Sequence, residues 1–227
     1  MKEWRVEVIP AGDAVGFVRR HHYSGTAVAG LARYGWITQD DQLVGVSIFD
    51  PGHHDTRKGV FGPEHWRHVA HHHRLAVRPD VPHGFTSMFQ AGALRALKRD
   101  RPDLWAVVTY ADVSHGHVGT IYQATNAIYT GLRTKGNLYL VTPEGDVRTM
   151  QALSRYGTWS QRRAKAAELG WTERRSLGKH RYVYLLGSAR QRRKYPPLCW
   201  PVLPYPDPMF AKQVPSATLV STTNKEQ

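Results

Sequence analysis

The chain has 227 residues, 41% of them hydrophobic, enough for one substantial domain or a domain with appendages. No run approaches the roughly 18 consecutive apolar residues of a membrane span, and the opening "MKEWRVEVIPAG" lacks the apolar block of a secretory signal. A single cysteine, Cys199, excludes an internal disulfide framework and a cysteine-only zinc site, so the expectation is a soluble cytoplasmic protein with a net charge of +13.

In chain order, "EWRVEVIP" predicts a first strand and "AGDAVGFVRRHHYSG" a helix ending near Gly25. "ARYGWITQDD" and "QLVGVSIFDPG" predict two strands joined by the polar turn Gln39-Asp40-Asp41, and "EHWRHVAHHHRLAV" one or two more. The loop "RPDVPHG" leads into "FTSMFQAGALRALKRD", a helix with Phe85, Met88, Phe89, Ala93 and Leu97 on one apolar face. Ser87 and Gln90 have capping-box spacing, with Ser87 as N-cap, and Pro102 stops the helix. "LWAVVTY", Leu104 to Tyr110, reads as a central strand covered on both faces. A second helix is expected over about Val118 to Tyr129.

"NLYLVTPEGDVRTMQAL" then supplies a strand and a turn, "SQRRAKAAELG" a short basic helix ending at Gly170, and "HRYVYLLG" a last strand. After Gly187 the chain turns basic and then proline-rich, so "KYPPLCWPVLPYPDP" must be extended. The final "SATLVSTTNKEQ" is expected to be disordered. These readings give a domain over 1–187, strongly basic over 155–187, and a tail over 188–227.

The excess charge is concentrated. Between Arg155 and Lys194 twelve basic residues stand against two acids, Glu168 and Glu173. Clustered cations attract a polyphosphate through counterion release; the alternative is a solvated face that aids solubility. Tyr156, Trp159, Trp171, Tyr182, Tyr184 and Tyr195 interleave with these cations and could stack on bases, which favours nucleic acid. The candidate DNA contacts are Arg162, Arg163, Lys165, Arg174, Arg175, Lys179, Arg192 and Arg193.

Three constellations carry candidate chemistry. A loop whose amides converge on a helix N-terminus, here around Gly84 and Ser87, is a phosphate cradle; the competing reading is an ordinary strand-to-helix connection. Asp112 stands beyond the carboxyl end of a central strand, where α/β sheets collect ligands. A flexible His115–Gly119 segment then leads to Tyr122, so carboxylate, imidazole and phenol could supply a base, a metal ligand and a proton donor. Alternatively, Asp112 caps the next helix or anchors the loop.

Histidine is the third feature, thirteen in all and seven between His53 and His73. In a strand, alternation puts His71 and His73 on one face and His72 with Arg74 on the other. Adjacent histidines do not readily share one metal, so most read as structural or as phosphate contacts. His22 and Tyr23, where a helix ends in "RRHHYSG", are placed to close over a cleft.

The element order resembles the GNAT acyltransferase fold, and "HHYSG", "HRLAV", "PHGFTS", "TYAD" and "GHVGTIYQATN" resemble the Mom family of phage DNA-modification proteins over roughly residues 18 to 187. The resemblance implies an α+β fold, with a central mixed twisted sheet flanked by helices and a basic C-terminal extension. It implies conversion of adenine N6 in phage DNA to a carbamoylmethyl amine, which blocks host restriction in the host cytoplasm. Arg74, Leu75, Ala76 and Val77 would pair with the pantetheine arm of acetyl-CoA or a related acyl donor, and Gly84 and Ser87 would hold its pyrophosphate. His22, Tyr23, Asp112 and Tyr122 would surround the reacting centre, with His22 and Asp112 as ligands of a bound iron. The DNA adenine would be flipped out of the duplex. Alternatives from other classes are an N-acetyltransferase acting on a protein or small amine, and a non-catalytic DNA-binding protein.

Overall fold

The computed structural model describes residues 4–207 except 83, 135 and 137, together with the backbone of 220–221. The chain falls into two compact units. The first comprises 1–110, 119–131 and 181–205, and the second 111–118, 132–180 and 206–227. No helix among the described residues is long and apolar enough to cross a membrane.

A seven-stranded sheet organises the first unit. Its strands are β1 (Arg5–Val8), β2 (Ala32–Ile37), β3 (Leu43–Asp50), β4 (Val69–Val77), β5 (Ala106–Asp112), β6 (Ile128–Arg133) and, from later in the chain, β10 (Lys179–Leu185). Their order is β1-β2-β3-β4-β5-β10-β6. Pairing is antiparallel from β1 to β4 and parallel between β4 and β5, which is the mixed sheet the resemblance implied.

One face of the sheet packs against α1 (Ala11–His21): Phe17 and Val18 are buried with Ile37, Val46, Ile48 and Ala76. Fully burying such a side chain contributes about 1.5–3 kcal/mol. Another cluster joins Val60 and Phe61 of α2 (His54–Phe61) to Val69, Ala106, Val108 and Val183. The helix α3 (Phe85–Asp100) buries Phe89, Ala93 and Leu97 as its sequence pattern requires.

Several boundaries differ from the sequence reading. α1 stops at His21, because His22 is already extended. The cap of α3 is Gly84, not Ser87. Gly84 takes a left-handed φ of 91°, available to glycine without a Cβ penalty, and starts the helix three residues early. Ser87 lies inside the first turn with its hydroxyl donating back to the Gly84 carbonyl (2.7 Å), so the Ser87–Gln90 capping box does not form. The expected helix over Val118–Tyr129 shrinks to α4 (Thr120–Ala124). Asn126, at φ 59°, turns the chain, and Ile128 and Tyr129 belong to β6.

The second unit contains the hairpin β7 (Leu138–Val141) and β8 (Val147–Thr149), the helix α5 (Trp159–Glu168) and the unexpected strand β9 (Thr172–Arg175). β9 pairs with β7 and with the short β11 (Val220–Ser221). Apart from β11, the final segment expected to be disordered lies outside the described residues. Thr158 and Gln161 form a full capping box at the start of α5. Leu140, Met150, Leu153 and Ala166 make this unit's core.

After the short α6 (Ala189–Arg192) the proline-rich segment is extended, as expected, but it is bound to the first unit. The Cys199 amide donates to the Val60 carbonyl (2.9 Å), the Leu203 amide to Tyr129 (3.0 Å) and the Tyr205 hydroxyl to Ala127 (2.9 Å). Arg181 lies 3.6 Å above the Trp200 ring.

Candidate active site

The first unit holds a splayed pair of strands. Parallel pairing of β4 with β5 runs only from Val69/Ala106 to His71/Val108, while β4 continues to Val77 against β3. Among the described residues, Leu75, Ala76 and Val77 thus lie beyond the paired part of the two strands, the splay that an extended amide-bearing arm would require. The start of α3 has no side-chain cap, so its first amides suit an anionic group.

Arg74 also clamps the loop after α1. Its Nε donates to the Thr26 carbonyl (2.8 Å) and its Nη2 to the Thr26 hydroxyl (3.3 Å). In that loop the His22 Nδ1 bonds the Ser24 hydroxyl (2.8 Å), and the His22 and Tyr23 rings lie 4.2 Å apart. Tyr23 is exposed. His22, Tyr23 and Arg74 thus occupy one neighbourhood.

Behind β4 runs a buried polar chain that the sequence reading did not pick out. The Ser47 hydroxyl lies 3.0 Å from His72 Nε2, while Gln90 Nε2 (3.4 Å) and the Thr109 hydroxyl (3.3 Å) approach His72 Nδ1. Because the Gln90 NH2 can only donate, Nδ1 accepts and Nε2–H donates to Ser47. Thr109 is bonded in turn to the phenol of the half-buried Tyr122, whose pKa is raised by desolvation. The Tyr184 hydroxyl meets Thr125 at 2.6 Å, and burial raises its pKa as well.

Burial lowers the His72 pKa to about 3, with the neighbouring His71 and His73 adding to the effect. The unfolded chain therefore binds a proton that the folded chain refuses between about pH 6.5 and pH 3. Stability should fall by up to about 1.4 kcal/mol per pH unit as pH drops through this window. Urea titrations of the His72→Gln variant should show a shallower dependence; an unchanged slope would assign the acid lability elsewhere.

In the second unit Asp112 is 6% exposed. One carboxylate oxygen accepts the Ser114 amide (3.0 Å), capping the single turn Val113–His115, and the other faces Lys179 Nζ at 3.2 Å. The Ser114 hydroxyl accepts the Leu177 amide at 3.0 Å. Burial lowers the His117 pKa, with His115 adding to it. The anchoring role left open from the sequence is therefore present.

Of the candidate DNA contacts, Arg162, Arg163, Lys165, Arg174, Arg175 and Lys179 fall in the second unit and Arg192 and Arg193 in the first. Arg163 pairs with Glu173 (2.7 Å) and Lys165 with Glu168 (2.6 Å). The aromatic expectation needs correction. Tyr182 and Tyr184 are buried, and Tyr195 stacks on Trp105 at 5.2 Å, so these rings serve the core. Trp159, at the first position of α5, is 49% exposed.

Among the described residues, the metal-ligating side chains gathered three together are Asp50, His71 and His73, not a set containing His22 or Asp112. Asp50 ends β3 directly opposite His71, and a register shift between Ile48 and Phe49 brings His73 to the same carboxylate. Asp50 Oδ1 lies 2.9 Å from His71 Nδ1 and Oδ2 lies 2.9 Å from His73 Nδ1. Burial alone would raise the Asp50 pKa, but bonds from the two imidazoles outweigh it and hold the carboxyl well below the usual range. Beside it opens a cleft of about 630 Å³, lined by Val28, Gly30, Gly52 and His53 together with Asp50 and His71.

Comparison with known proteins gives many structural likenesses, among them these three. Spermidine N-acetyltransferase SpeG of Vibrio cholerae in complex with CoA and spermine superposes with a TM-score of 0.47 at 10% identity, covering 81% of this chain and 95% of that one. The same enzyme in complex with manganese ions gives 0.46 at 11% identity over 85% and 97%. A chimera of the Vibrio cholerae enzyme with hSSAT gives 0.46 at 11% over 80% and 95%. No curated protein matches the chain. Residues 3–207 match the model of the Mom protein family, and the chain belongs to that family.

Proposed function

We propose that this protein is a DNA-modifying transferase that converts the N6 amine of adenine to a carbamoylmethyl derivative and so protects phage DNA from host restriction. Membership of the Mom family over residues 3–207 is the observation that carries this reading. The splay of β4 from β5 and the uncapped start of α3 support a CoA thioester or related acyl donor, held along Arg74–Val77 and at Gly84–Ser87. Arg162, Arg163 and the other cations of the second unit would hold the phosphate backbone, and Trp159 would face the extruded base.

Chemistry sets one further demand. The adenine N6 lone pair is delocalised into the ring, and the product carries an alkyl carbon–nitrogen bond rather than an amide. Plain acyl transfer does not supply that bond, and a transition-metal ion, iron on the resemblance, would contribute the Lewis-acid or redox chemistry. In the first unit Tyr122, whose pKa burial raises, would serve as a proton donor; the second unit's Asp112 would separately offer a carboxylate.

Expression followed by mass spectrometry of digested host DNA should show a shifted deoxyadenosine. Unaltered nucleosides, with acetyl transferred to a small amine in the absence of DNA, would replace this reading with an N-acetyltransferase. Binding should also weaken steeply with salt. Arg162→Ala with Arg163→Ala should reduce the log–log salt slope by about 1 for each cation that contacts a phosphate. An unchanged slope would move the DNA surface elsewhere.

A further inference from the structure

We infer that Asp50, His71 and His73 form a binding site for a divalent transition-metal ion, open toward the cleft beside them. The inference rests on the metal-assisted part of the proposed function but is tested by binding alone.

Two imidazoles and one carboxylate are the donor set of metal centres that keep coordination positions free for water or substrate. The three side chains come from adjacent strands, so the sheet fixes their spacing before any ion arrives. Their ligating atoms all lie within 4.8 Å of one another. Ligand bonds of roughly 2.1 Å at a right angle separate two donors by about 3 Å. The two observed Nδ1-to-carboxylate separations, 2.9 Å each, match that edge. An ion entering here takes the place of the two hydrogen bonds between the imidazoles and the carboxylate.

The surroundings favour a functional centre over a closed structural one. The three side chains are 14–22% exposed, screened from bulk water yet reachable. His71 and Asp50 line the cleft itself, beside Gly52 and His53. The far nitrogen of His73, Nε2, is buried without a hydrogen-bond partner among the described residues, and its ring lies 6.1 Å from that of His71. Burial lowers the Arg57 pKa and the Asp50 charge partly offsets this, so a guanidinium also bears on the net charge an ion would meet.

Chelator-stripped full-length protein titrated with Co(II) tests the assignment through calorimetry and the visible d–d spectrum. One Co(II) per chain is expected, with affinity reduced at least about 100-fold by Asp50→Asn or His73→Asn. His53→Ala, in the same cleft but outside the trio, and His22→Ala should bind as the parent does. Paramagnetic broadening in the unaltered protein keeps the test decisive if a variant unfolds: the His71 and His73 ring signals should be lost first. No Co(II) uptake, parental affinity in both asparagine variants, or broadening centred on other histidines would overturn the site. Metal binding without any altered nucleoside would preserve it and remove the DNA-modification reading instead.

Discussion

Asp112→Ala should abolish the modified nucleoside and cost about 3 kcal/mol of stability, the low end of the range for breaking a buried ion pair. The carboxylate caps the Val113–His115 turn and faces Lys179. Its loss leaves the Ser114 amide unmatched and Lys179 without its counter-charge. The cost stays low because the Lys179 side chain is 28% exposed and recovers some hydration. Asp112→Asn separates the two roles. An amide oxygen can still accept from Ser114, so the cap's share of the stability should return while the ion-pair share stays lost, and the proton-accepting carboxylate is gone. Full modification by a stably folded Asp112→Asn protein would restrict this residue to anchoring.

Gly119→Ala should destabilise by about 3 kcal/mol, combining a left-handed backbone cost of about 1–2 kcal/mol with overpacking of similar size. Gly119 has a φ of 80°, and an added Cβ would sit 2.5 Å from the Tyr182 ring. Tyr182 in turn accepts a hydrogen bond from Gln123 (3.0 Å). Shrinking the ring with Tyr182→Leu should relieve only the steric share, so the double-mutant cycle should show coupling of about 1–2 kcal/mol. Strict additivity in urea denaturation would mean that the ring moves aside at no cost. The glycine is thus required by close approach as well as by turn geometry.

Where the sequence was informative, periodicity carried the information. Phe89, Ala93 and Leu97 marked the buried face of α3, and the apolar run after Leu104 marked a strand covered on both sides. Alternation alone separated His72 from its neighbours, and the structure buries it while His71 and His73 share another face. Where the reading failed, a local signal was ambiguous. Ile128 and Tyr129 extend a helical stripe from Val118, yet they fit a strand equally well once Asn126 reverses the chain. α2 was missed because its apolar residues, Val60 and Phe61, lie together at its end. The Asp50 cluster was not legible because it depends on a register shift between strands, a property of pairing that neither strand's own pattern encodes.

The insertion of β10 between β5 and β6 has a consequence for synthesis. When the ribosome has made Arg133, both flanking strands exist, but residues 134–178 must still be translated before their shared neighbour arrives. Until then each presents a bare edge of amides and carbonyls, open to pairing with another nascent chain. Slow translation or crowded expression should therefore favour aggregation, and soluble yield should respond to conditions that delay intermolecular encounter more than to any change on the finished surface.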